Sequence, residues 1–231
     1  MTLAECRDLT RLYSRLTTTS VATANVDLFI KNNEIGLAMD LIELNPALAM
    51  KQEDITWPVG TAEQTLDDTV LPVSLGASDT VYKIMMMMRR DGNDKALYSA
   101  AGMSELTGDG VVEERSQDFA SSLRYCYDGG RLWLYPVPSG AEDLTLAFVL
   151  APVAQTVAAN PMLEQFSPTG RLFAEGIAIR AAFDLRASLG YDLTWIQVKL
   201  DEFNERMRSY ARSLQMQEPD VVGNTRWTHY V

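Results

Sequence analysis

The sequence has one histidine, His229, close to its end, so imidazole can supply at most one acid–base group or metal ligand. A Ser-His or Cys-His nucleophile would have to recruit that single residue, and a His-rich metal site is out of reach. Cys6 and Cys126 are too far apart for a CxxC pair, which argues against a zinc or redox centre and fits a reducing compartment. Carboxylates remain. The adjacent acids Asp67-Asp68, Glu113-Glu114 and Glu142-Asp143 suggest a glycosidase, yet neighbours on a strand point to opposite faces, so adjacency alone builds no acid–base pair. Solvated turn acids are the plainer reading.

Two loops imitate ligand motifs. Gly108-Asp109-Gly110-Val111-Val112-Glu113 begins like a dinucleotide fingerprint, but Glu113 replaces the third glycine and no βαβ unit surrounds it. Asp91-Gly92-Asn93-Asp94-Lys95 begins like a calcium loop, but Lys95 stands at position five, Ala96 at the glycine position and Gly102 where a bidentate Glu is needed. No P-loop and no GxSxG elbow occurs. The expectation is a chain with no catalytic residue, no cofactor and no bound metal.

The surrounding elements are those of an ordinary globular protein: 231 residues, 47% hydrophobic and 22% charged. The longest apolar stretch, Leu144 to Ala154, is about half of a membrane span and contains Pro152; Glu5, Arg7 and Asp8 interrupt any signal-like run. A soluble protein that crosses no membrane is expected. Thr2-Leu3-Ala4-Glu5 has capping-box spacing, and Leu9, Leu12, Tyr13 and Leu16 follow at helical intervals. A second helix is predicted from Val26 to Leu44, with Val26, Ile30, Leu37, Leu41 and Leu44 on one stripe and Pro46 ending it. The period then changes to two. Val81–Met88 reads as a strand whose methionines, Met85 to Met88, point two to each face, either as core or as an adaptable surface. Leu123–Tyr127 and Arg131–Tyr135 flank Asp128-Gly129-Gly130 as a hairpin, and Leu144–Leu150 follows as a further strand.

Helix returns near Pro168. Arg171–Leu189 is rich in small residues, Gly190 suits a C-terminal cap and Asp192 an N-cap. Leu193, Ile196, Leu200, Phe203, Met207, Tyr210 and Leu214 form a heptad-like seam for the preceding helix or another subunit, with Glu202 and Arg206 as an i,i+4 pair. The fold class is α+β: a four-helix core from residues 1–46 and 165–214, a β-rich insertion over 47–164 and an extended C-terminal arm over 215–231. That arm lacks helical periodicity but keeps Val221, Val222, Trp227, Tyr230 and Val231, as an interface element would.

Charge is uneven. The net charge is −11, the wrong sign for a phosphate-backbone binder. Between Asn32 and Tyr82 there are nine acids (Glu34, Asp40, Glu43, Glu53, Asp54, Glu63, Asp67, Asp68 and Asp79) against one base, Lys51. They form either a solvated face or a surface that must not adhere to nucleic acid.

The order helix, helix, β-rich insertion, helix, helix, arm resembles the head–tail connector (adaptor) proteins of tailed bacteriophages. Several patterns carry the resemblance. Val26-Asp27-Leu28-Phe29-Ile30-Lys31-Asn32-Asn33 is similar to the start of the family's second helix. Leu71-Pro72-Val73 followed by Val81-Tyr82-Lys83-Ile84 is similar to its Leu-Pro lead into a strand. Gly130-Arg131-Leu132-Trp133-Leu134-Tyr135-Pro136-Val137-Pro138, then Leu144–Phe148 and Ala151-Pro152, resembles its hairpin and closing strand. The last two helices resemble its C-terminal pair, while the Trp or Tyr usual before the second helix is missing from Thr17–Ala24.

The resemblance implies a ring of identical subunits, typically twelve, in the virion neck between portal protein and tail, assembled in the bacterial host cytoplasm. Its partners would be the portal, the tail nozzle or tube and the tail fibre proteins; genomic DNA would pass through the channel without specific binding, and no catalytic residue is implied. Channel-facing acids are then expected among Glu34, Asp40, Glu43, Glu53, Asp54, Asp67 and Asp68. The arm would dock on the portal, a neighbouring subunit or its own body. Two other readings stay open, a carboxylate- and metal-dependent enzyme and a soluble binding module with a dockable tail.

Overall fold

A computed structural model describes residues 1–17, 20–72, 75, 79–90, 95–100, 123–163, 166 and 170–217. The calcium-like and dinucleotide-like loops, Glu113-Glu114 and the arm residues Val221, Val222, Trp227, Tyr230 and Val231 lie outside these residues. The chain divides into two compact units. Met1–Leu48 and the described residues from Pro152 onward form a helical unit; Ala49–Ala151 forms a β unit. The return segment 152–163 thus belongs with the helices, not with the insertion expected over 47–164.

In the helical unit α1 spans Leu3–Ser14 and α2 Thr23–Leu44, and the later described residues form α3 (Gly170–Ser188) and α4 (Thr194–Gln217). The N-terminal and C-terminal pairs pack together as expected, with α3 touching the other three helices. The composition of α3 explains its central place. Ala174, Ala178, Ala181 and Ala182 let neighbouring backbones approach, while Phe173, Ile177, Ile179 and Leu185 fill the gaps between them; all are buried.

The capping box forms: the Thr2 hydroxyl accepts the Glu5 N–H and Glu5 accepts the Thr2 N–H at 2.7 Å. The buried face of α1, however, is Leu3, Cys6, Thr10 and Ser14, and Leu12 is 67% exposed. Of the residues expected to face inward, Leu9, Tyr13 and Leu16 are half-buried and Leu12 is exposed, while the small Cys6, Thr10 and Ser14 take the middle of the face that packs on α3. On α2, Val26, Ile30, Leu37 and Leu41 are buried as expected, while Leu44 is exposed. Gly190 adopts positive φ after α3, and the Asp192 carboxylate accepts the Thr194 N–H at 3.1 Å at the start of α4. That helix runs to Gln217, three residues past its expected end at Leu214. Glu202 turns to Lys199 (2.7 Å) and Arg206 to Glu175 of α3 (3.4 Å), in place of the expected Glu202–Arg206 pair.

The β unit holds two four-stranded sheets. The first has the order β1 (Met50–Trp57), β8 (Glu142–Leu150), β3 (Val81–Arg89) and β4 (Lys95–Ala96), all antiparallel. The second has the order β2 (Glu63–Thr65), β7 (Arg131–Tyr135), β6 (Arg124–Asp128) and β5 (Tyr98–Ser99), with β5 parallel to β6. The β6–β7 hairpin forms where Asp128-Gly129-Gly130 predicted it. Its glycines hold φ of 57° and 83°, the left-handed pair that a two-residue turn of type I′ requires. Ile55, Trp57, Met87, Leu146 and Phe148 from the first sheet meet Tyr125, Leu132 and Leu134 from the second in one core, and the Tyr127 hydroxyl donates across to the Val81 carbonyl at 2.6 Å.

The methionine strand departs from simple alternation. Register shifts between Val81 and Lys83, and between Ile84 and Met86, insert one extra residue each, so Val81, Ile84 and Met87 are buried at intervals of three. Met87 alone is fully buried, and Met85, Met86 and Met88 are half-buried.

Candidate functional site

The seven acids proposed for a channel divide between the units: Glu34, Asp40 and Glu43 lie on α2, while Glu53, Asp54, Asp67 and Asp68 lie in the β unit. Glu34 does not face solvent. It is 3% exposed, on the stripe of α2 that runs Val26, Ile30, Glu34, Leu37 and Leu41. Its two carboxylate oxygens accept the N–H of Gln155 at 2.6 Å and of Leu163 at 3.1 Å. Burial pushes its carboxyl above the ordinary range, and the two donated N–H groups oppose that shift. Glu53 is also withdrawn, at 8% exposed, because it shares the inward side of β1 with Ile55 and Trp57. Both therefore leave the set of channel-facing acids.

The other five reach water in different ways. Asp40 pairs with Arg180 of α3 at 2.6 Å and keeps 44% of its side chain exposed; Glu43 is exposed one turn on. With Leu44, Asn204, Met207 and Arg208 they line an open groove of about 400 Å³ where the end of α2 faces α4. Asp54 accepts from Arg90 at 2.8 Å and from the Thr145 hydroxyl at 2.6 Å. Asp67 caps its own turn: the Thr69 hydroxyl donates to it at 2.5 Å, with the N–H groups of Thr69 at 3.0 Å and Val70 at 3.2 Å, and these hold its carboxyl below the usual range; Asp68 beside it is exposed. Asp67-Asp68 is thus a turn pair, as the residue pattern suggested, whereas Glu142 and Asp143 open β8, where Glu142 pairs with Arg89 at 2.6 Å. A second open groove, of about 540 Å³, runs along β1 from Gln52 to Thr56 opposite Thr69, Val70 and Pro72.

Among the described residues no three His, Cys, Asp or Glu side chains come together as a metal-holding group, and no helix is long and apolar enough to cross a membrane. Both cysteines are buried, and burial pushes the Cys6 thiol up to about 12.

The residue pattern also gave no warning of a polar cluster where the end of α1 meets α3 and α4. There the Tyr13 hydroxyl donates to Glu175, which also binds Arg206, and the Arg15 guanidinium lies 4.9 Å from the Trp195 ring centroid. Its members come from three helices that lie far apart in the chain, so no local spacing could reveal it. Glu34 carried a signal that could have been read: an acid in the middle of an apolar 3–4 stripe is either misplaced or bonded, and here it is bonded.

No family model matches this sequence, and no curated protein proved significantly similar to it.

Proposed function

We propose that this protein is a structural head–tail connector subunit of a tailed bacteriophage, assembling into a ring between portal and tail through which DNA passes. The observation that supports this reading most is the packing of the N-terminal and C-terminal helix pairs into one unit, with two small sheets inserted between them. That is the architecture the resemblance implied. In a ring, acids toward the lumen would keep phosphate from adhering, and Asp40 and Glu43 on α2 with Asp54, Asp67 and Asp68 in the β unit remain available for that role. The C-terminal arm, which lies outside the described residues beyond Gln217, would anchor to portal or to a neighbouring subunit through Trp227 and Tyr230.

The test is native mass spectrometry of the purified protein, alone and with purified portal rings. A ring of defined order, formed spontaneously or only on the portal, supports the proposal. A chain that stays monomeric and does not bind portal, or that binds duplex DNA tightly and salt-sensitively, rejects it. Deleting Gly223–Val231 should leave the melting temperature unchanged and abolish portal-dependent assembly.

A further inference from the structure

The chain passes between its two units twice, and the two passages differ. On the outward path a 3-10 turn, Pro46–Leu48, leads almost directly into β1 at Met50. On the return, residues 152–163 follow β8 with no strand or helix of their own beyond an isolated bridge from Pro161 to Thr2. Val153 is 64% and Val157 52% exposed, and only Met162 and Leu163, at the far end, are buried. The segment is nevertheless tied to the helical unit at several points. Ala4 N–H donates to Ala158 at 3.2 Å, Met162 N–H to Met1 at 2.9 Å, and Gln155 and Leu163 both donate to Glu34.

Its closed form balances opposing terms. Few apolar side chains hold it down, which places it at the low end of local stability. Leu163 sits at φ 54°, a conformation costly for a branched side chain. Glu34, buried beneath the segment, would regain water if the segment lifted. Against these stand the backbone bonds, among them the two that the Glu34 side chain accepts at 2.6 and 3.1 Å.

We propose that residues 152–163 form a releasable strap, clipped by Glu34, that opens while the four helices stay folded and so lengthens the tether between β8 and α3. Twelve freed residues can span up to about 40 Å when extended. The strap stands on its own contacts and does not depend on the connector reading.

Residue-resolved amide exchange of the full chain at neutral pH, in rising sub-denaturing urea, tests this. In the wild type, the Gln155, Ala4 and Leu163 amides should exchange together, faster than those in the middle of α2 and α3, and with no urea dependence. Glu34→Gln keeps an acceptor for one N–H but turns its carboxamide NH2, a donor, toward the other, so both strap amides should exchange at least tenfold faster while the helix amides keep their rates. The proposal is overturned if the strap amides exchange only with α2 and α3 along one urea-dependent line in the wild type. It is equally overturned if Glu34→Gln folds and leaves strap exchange unchanged.

Discussion

The Phe203 ring of α4 lies so close over Gly176 of α3 that a methyl group on residue 176 would stand 2.0 Å from its Cζ atom. Phe173 meets the same ring edge-on, with centroids 6.3 Å apart, and the guanidinium groups of Arg180 and Arg206 lie 5.8 and 5.3 Å from its centroid. The seam between α3 and α4 is therefore built around one aromatic side chain seated on one missing side chain, with cations closing its rim.

Gly176→Ala tests which effect wins there. Alanine is the better helix former by about 1 kcal/mol, whereas overpacking a filled core costs about 3 kcal/mol at the upper end. A net loss of about 2 kcal/mol in urea unfolding is expected. Trimming the ring with Phe203→Leu in the same chain should recover part of it as a favourable coupling energy. A stabilising Gly176→Ala would mean that the seam is loose.

The two bulges of β3 make its methionines unequal. Met87→Ala should cost about 2–5 kcal/mol, as for any long side chain cut from a core. Met85→Ala, at a half-buried inserted position, should cost less than about 1 kcal/mol. Equal losses would return the strand to plain alternation.

Glu34 gives stability a definite pH sign. Burial raises its folded carboxyl above the reference value of 4.5, so the folded chain holds that proton more tightly than the unfolded chain does. The stabilisation it brings is complete below the unfolded value and fades as pH rises through the folded one. The stability of wild type relative to Glu34→Gln should therefore be greatest at the acid end and decline as pH rises above 4.5. Paired urea titrations across that range check it, and a difference that grows with pH would contradict the direction.

Both thiols are buried, and that of Cys6 titrates only near 12. An aromatic disulfide reagent at mildly alkaline pH should label neither cysteine in the native chain and both in denaturant. Rapid native labelling at Cys6 would show that α1 leaves its place beside α3.

Where the determinants were local, residue types alone located the structure. Thr2 and Glu5 satisfy each other within one turn, the Asp-Gly-Gly turn fixes its hairpin, and Ile196, Phe203 and Met207 face inward as their spacing says. The failures share a different cause. The buried face of α1 was set by its packing against α3, more than 150 residues away, which takes Cys6, Thr10 and Ser14 inside and leaves Leu12 exposed. Arg206 chose Glu175 across the seam over Glu202 on its own helix. Glu34 and Glu53 counted as surface acids because charge was counted along the chain; one is fixed by backbone donors about 120 residues on and the other by strand alternation.

A helical unit closed by both ends of the chain cannot be finished in the order in which it is synthesised. After α2 leaves the ribosome, roughly 120 more residues precede α3, a delay of about 6–25 s at ordinary elongation rates. Throughout that interval Val26, Ile30, Leu37 and Leu41 have no α3 to cover them, and the early helices must be shielded or kept apart from other nascent chains. The β unit, whose strands all lie within Ala49–Ala151, can fold in the meantime. Vectorial synthesis thus lets the sheets close before the helical unit can be completed, and it leaves the inner face of α2 uncovered by α3 until the last quarter of the chain emerges.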